Sequence, residues 1–125
     1  MSLQHKFPEG YPWTNDNTHI WYANIAYDGL GLVNYKGSGC TAFAMIASDA
    51  IFGKNPVYRY KDKNQIRVGD ILRINNDTHS VIVVEDLGKY TYRVAEGNYY
   101  YSIHYGRVIN LETTGFDWGF TRYPK

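Results

Sequence analysis

The sequence predicts an α+β domain in which helices come first and a small antiparallel sheet follows. Helical spacing of apolar residues is confined to the first half of the chain, and period-two alternation to the second. Tight-turn residues separate the strand-like runs of that second half. At 125 residues, 1–125 reads as one domain, long enough to bury a core of its own.

Residues 1–19, rich in Pro, Gly, Asn and Asp, read as an irregular lead-in. Asn17 or Thr18 is placed to cap a first helix over residues 19–28, closed by Gly29 and Gly31. Ile20, Ala23, Ala26 and Tyr27 fall on one face of it. After the loop Asn34–Gly39 comes the strongest helical pattern, CTAFAMIASDAIFG, with Phe43, Ile46, Ala47, Ala50 and Ile51 in register and Gly53 as its stop. Beyond Asn55-Pro56, residues 66–75 give a turn at Gly69-Asp70 and then a strand. His79–Glu85 is a second strand, Asp86–Lys89 a hairpin turn, Tyr90–Glu96 a third strand and Val108–Leu111 a short fourth. The tail adds at most one more.

Composition removes several functions. A formal net charge of +1 offers no pull toward nucleic acid or an anionic membrane. No run approaches the ~18 apolar residues of a membrane span. A single cysteine excludes a disulfide framework and a thiolate zinc cluster. His5, His19, His79 and His104 have no metal-ligand spacing, so neither metal nor cofactor is expected. Aromatic content of 17% reads two ways: tyrosine-rich strands, or a surface for sugar or peptide contacts.

Three residue groups carry chemistry. Cys40 sits in the first turn of the strong helix, where unpaired N–H groups and the helix dipole favour thiolate, and flanking glycines admit a substrate backbone. Taken alone it reads equally as a small buried hydrophobe. His79 opens a strand whose alternation puts Val81 and Val83 on its face, and Ser80, Ile82 and Val84 on the other. Alone it is a turn histidine. Glu96 and Asn98, at i and i+2, share one face at the close of the next strand, where a carboxylate or amide oxygen can fix an imidazole ring. Alone they are a solvated strand end.

Together, cysteine at a helix start, histidine at a strand start and a polar pair closing the next strand follow the papain-type chain order. On these residues the chain resembles the CHAP family, the cysteine, histidine-dependent amidohydrolases/peptidases, and more loosely the NlpC-type peptidases. The resemblance lies in GSGCTAFA around Cys40, VGDILRINNDTHSVIVVED around His79 and RVAEGNYYYSIHYGRVI around Glu96 and Asn98, and spans most of residues 34–110. Val68-Gly69-Asp70-Ile71-Leu72 is similar to the family's pGDi strand start, and Glu96-Gly97-Asn98 to its E-x-N element.

The resemblance implies a papain-like fold, with N-terminal helices and the nucleophile helix packed on a small antiparallel sheet. It implies Cys40 as nucleophile, His79 as general base, Glu96 as the main orienting acid and Asn98 as a further polar partner. Two features depart from the family: Thr41-Ala42-Phe43-Ala44 replaces its aromatic-rich signature, and no glutamine lies just upstream of Cys40. Asn34 and the Cys40 backbone N–H are then the oxyanion candidates. Tyr35, Tyr99 and His104 are candidate groove residues, the last two reading equally as part of a tyrosine-rich strand and loop. The implied substrate is bacterial peptidoglycan, cut at the sugar–peptide amide or within the peptide stem. The implied location is secreted or cell-surface, with wall-binding modules elsewhere in a full-length protein. Two other classes stay open: a non-catalytic wall-peptide-binding domain, and a secreted cysteine protease or acyltransferase acting on protein or lipid.

Overall fold

The computed structural model describes residues 4, 6–14, 20–32 and 35–124. Its strands are β1 (Trp21–Tyr22), β2 (Lys36–Gly37), β3 (Tyr58–Tyr60), β4 (Ile71–Ile74), β5 (His79–Gly88), β6 (Thr91–Tyr99), β7 (Ser102–Asn110) and β8 (Trp118–Thr121). The helices are α1 (Gly39–Phe52) and the single turn α2 (Leu111–Thr114), with 3-10 turns at Ile25–Leu30 and Lys63–Gln65. β1 and β2 form a small ribbon, and the other six strands one antiparallel sheet in the order β3-β8-β4-β5-β6-β7.

This architecture corrects the predicted papain-like α+β layout. The chain is mostly β, 39% strand against 26% helical, with one main helix against a six-stranded sheet. The expected first helix is a strand pair and a 3-10 turn instead. Trp21 and Tyr22 pair with Gly37 and Lys36, and Asn24 then accepts the Ala26 N–H to start Ile25–Leu30. Apolar spacing in that stretch fits either structure, and backbone pairing to residues beyond it decides. The predicted caps Asn17 and Thr18 lie outside the described residues.

The sheet has one strand that was not predicted, β3, and its other strands differ from the prediction in place and length. The tail strand β8 inserts between β3 and β4 rather than adding at an edge. β5 also runs through the predicted turn to Gly88, and the hairpin is made by Lys89 and Tyr90, both with positive φ (53° and 60°). Two such residues give the twist that a two-residue hairpin needs. β7 likewise begins at Ser102, six residues before the predicted fourth strand.

Alternation along the strands splits the core in two. Ile71, Ile82 and Ala95 join Phe43, Ala47 and Trp13 on the α1 side, while their neighbours Leu72, Val81 and Val94 join Ile74, Ile109 and Leu111 on the other. Phe43 is wholly buried, which stabilises the fold by about 2–3 kcal/mol. Gly97 permits the close approach of β6 to α1: a Cβ there would lie 2.6 Å from Phe43 Cβ and 2.9 Å from Trp13.

Helix α1 is pinned at both ends. The Trp13 indole N–H donates to the Gly39 carbonyl at 2.8 Å. At the other end, buried Arg122 donates to the carbonyls of Asn55 and Gly53, to Ser48 and to the Asp49 carboxylate. Among the described residues no helix is long and apolar enough to cross a membrane.

Candidate active site

Cys40 is the second residue of α1 and is partly exposed. Its loop is extended at Ser38 and then turns through Gly39 at φ 60°, a conformation in which glycine is at ease. This delivers the sulfur to the helix start beside the first residues of β5. There the His79 imidazole and the Ser80 backbone N–H both interact with the thiol.

His79 Nε2 is bonded to Glu96 Oε1 at 2.8 Å, which leaves Nδ1 for the sulfur. Glu96 is completely buried, and Arg107 grips it with two bonds, Nε to Oε2 at 2.8 Å and Nη2 to Oε1 at 2.6 Å. The guanidinium in turn lies 4.0 Å above the Tyr99 ring. The relay therefore runs Cys40–His79–Glu96–Arg107, and its last member is the one that sequence reading missed.

The electrostatics follow from these contacts. Burial alone pushes the Cys40 thiol up, but the bond from His79, the Ser80 N–H and the charges of His79 and Arg73 outweigh it and bring the thiol down to about 7. Burial opposes charge on His79, yet its bonds and attraction to Cys40 and Glu96 raise it to about 9. Burial likewise pushes Glu96 up, and Arg107 with His79 more than reverses it, holding the carboxylate below its usual range. The thiol thus loses its proton below the pH at which the imidazole does, so thiolate and imidazolium coexist around neutrality.

A second arginine completes the wall. Arg73 Nη1 lies 3.8 Å from Cys40 Sγ and donates to Ser80 Oγ at 2.8 Å, with Thr41 Oγ1 at 3.4 Å. Its other donors hold Asp77, Nε to the carboxylate at 2.6 Å and Nη2 to the carbonyl at 2.7 Å. A lone charge in the apolar run Ile71-Leu72-Arg73-Ile74 was the sequence signal for it. Asp77 serves the turn after β4 and steadies Arg73.

The remaining candidates divide. Asn98 is the penultimate residue of β6, at φ 57° and half-buried, while Glu96 provides the acceptor at His79 Nε2. Tyr99 flanks the site, its ring 6.2 Å from that of His79. His104 is engaged elsewhere, by Glu9 at 2.7 Å, Ser102 at 2.9 Å and the Tyr99 carbonyl at 3.0 Å. Tyr35 lines a cavity next to Cys40. Asn34, the oxyanion candidate, lies outside the described residues, as do His5 and His19. Among the described residues no three His, Cys, Asp or Glu side chains group as metal ligands. Asp70, at the Val68–Leu72 strand start, supports the fold rather than the chemistry. Buried, it accepts from the Tyr60 hydroxyl at 2.6 Å and the Arg67 N–H at 3.0 Å.

Comparison with protein-family models, curated proteins and solved structures finds no match.

Proposed function

We propose that this chain is a cysteine-dependent amide hydrolase acting through a thioester. The observation that carries the reading is His79, bonded through Nε2 to a wholly buried carboxylate and electrostatically coupled to the Cys40 thiol. A merely structural cysteine has no use for a histidine whose far nitrogen is fixed by a buried, arginine-gripped glutamate.

In this mechanism the Cys40 thiolate attacks the amide carbonyl carbon, and the carbonyl π electrons move to oxygen. The N–H groups at the start of α1 face the developing negative charge. As the tetrahedral intermediate collapses and the C–N bond breaks, the imidazolium of His79 gives its proton to the departing amine. His79, now neutral, takes a proton from water, whose oxygen attacks the thioester. Cys40 leaves as thiolate and the product is a carboxylic acid. Glu96 keeps the ring oriented and steadies its charge throughout.

The resemblance to the CHAP family supports bacterial peptidoglycan as the substrate, cut at the sugar–peptide amide or within the stem, by a protein working at or outside the cell surface. The test begins with the thiol. Iodoacetamide alkylation of Cys40 is expected to reach half its maximal rate near pH ~7, against ~8.5 for a free thiol. In His79→Ala, burial remains while the imidazolium is gone, so the midpoint rises to or above the free-thiol value and the rate at neutral pH collapses. Mass spectrometry of purified wall digests then reads the substrate, with stem-peptide fragments released by the parent and not by Cys40→Ala. Slow alkylation that His79→Ala leaves unchanged would overturn the hydrolase reading in favour of a binding domain.

A further inference from the structure

A cavity of about 300 Å³ is lined by Thr41, Arg73 and Ser80, the neighbours of Cys40. Its floor is apolar, formed by Leu32, Met45, Ile71 and Phe120, while Tyr35, Trp118, Arg59 and the Arg73 partner Asp77 also line it. That volume lies at the small end of ligand cavities and suits one residue rather than an extended chain.

The charges around it do not balance. Arg73 is matched by Asp77 at 2.6 Å. Arg59 lies with its guanidinium 4.5 Å over the Trp118 ring, and among the described residues it forms no ion pair. Stacking on indole restrains the guanidinium while leaving its edge donors available, the arrangement suited to receiving a carboxylate. A second, larger cavity of about 530 Å³ runs along β3 and the tail; it shares Arg59 with the first but includes none of the sulfur's neighbours.

We propose that the cavity beside Cys40 is the subsite for a substrate residue that combines an apolar side chain with a free carboxylate, Arg59 being the group that selects the carboxylate. The proposal rests on Cys40 being the acylated nucleophile. It narrows the substrate class: the scissile amide lies next to a chain end bearing its acid group, not in the middle of a long polypeptide. The apolar floor takes the side chain, and Arg73, locked by Asp77 and Ser80, forms the wall between subsite and sulfur.

The test uses electrophiles that carry the recognition element themselves. N-iodoacetyl-leucine and N-iodoacetyl-leucinamide differ only in the carboxylate, and N-iodoacetyl-glycine removes the side chain. Second-order alkylation rates of Cys40 are measured by mass spectrometry in the parent, Arg59→Gln and Arg93→Gln, with iodoacetate and iodoacetamide correcting for the pull of His79 on any anion. After that correction, the leucine acid is expected to outrun its amide by about tenfold, the scale of one charge-assisted hydrogen bond. It should also outrun the glycine acid. The acid-to-amide ratio falls to near unity in Arg59→Gln and persists in Arg93→Gln, whose guanidinium pairs with Glu85. A corrected ratio near unity in the parent, or one that survives Arg59→Gln, overturns the subsite. Iodoacetamide reacting at a free-thiol rate instead overturns the hydrolase reading, and the subsite with it.

Discussion

Glu96 is shared between two cations. With no exposure to water, its charge is tolerable because Arg107 and the His79 imidazolium both bond it. Replacing it by the isosteric amide removes the charge and keeps the shape. In Glu96→Gln the imidazolium loses a stabilising neighbour, so the His79 titration, read by NMR of its ring protons, is expected to fall below about 9. The thiol midpoint then rises from about 7, and the window in which both charges coexist narrows from both sides. Hydrolysis should drop by roughly 10²-fold, in keeping with the loss of an oriented general acid–base. An unchanged His79 titration would mean that Glu96 is not its electrostatic partner. Cys40 and His79 were legible because each stands at the start of an element, where chemistry is commonly placed, and Glu96 because it shares a strand face with Asn98, although β6 continues past it to Tyr99. Arg107 was not, because its role depends on register: it pairs opposite Val94, which puts it diagonal to Glu96 across a bulged β6–β7 ladder. Arg73 depends in the same way on the turn after β4, where Asn75, Asn76 and Asp77 all adopt positive φ.

At the scale of elements, α1 was readable from its apolar spacing, while its anchors were not. Arg122 reaches it from the tail as a buried guanidinium with bonds to Asn55, Tyr27, Ser48, Asp49 and Gly53. Arg122→Met keeps much of the volume but leaves the Gly53 and Asn55 carbonyls just past α1 and the Asp49 charge short of a donor. The expected cost is about 3 kcal/mol, seen as a lower urea midpoint at unchanged slope. A loss within experimental error would show that water replaces the arginine. The tail strand was the hardest element to foresee. Trp118–Thr121 is four residues long and contains a glycine, so nothing local marks it as a strand, and its partners β3 and β4 lie about 50–60 residues back in the chain. The misread first helix has the same origin, since β1 is defined by β2 and not by its own spacing.

For the whole molecule, the site leaves a signature in stability against pH. His79 holds its proton more tightly when folded, about 9 against an ordinary 6.5, so its contribution is full below 6.5 and lost as pH rises through 9. Cys40 has the opposite sign: lowered from 9.0 to about 7, it contributes fully above 9.0 and loses that contribution as pH falls through 7. Between pH 7 and 9 the two slopes cancel, and urea titrations there should give a flat line. A slope of about 1.4 kcal/mol per pH unit in that interval, of either sign, would show that only one of the pair is shifted. Glu96, held low, contributes above its ordinary 4.5 and loses that contribution only as acid protonates it. The double pinning of α1 also constrains how the molecule is made. Trp13 precedes the carbonyl it holds by 26 positions, and Arg122 follows Asp49 by 73. When Cys40, the proposed nucleophile, leaves the ribosome, its partner His79 is still to come, and the strut that locks the helix comes much later. On the proposed reading, the thiol gains its reactivity only once residues as far as Arg122 have been made, so a chain stopped short of them carries no armed sulfur.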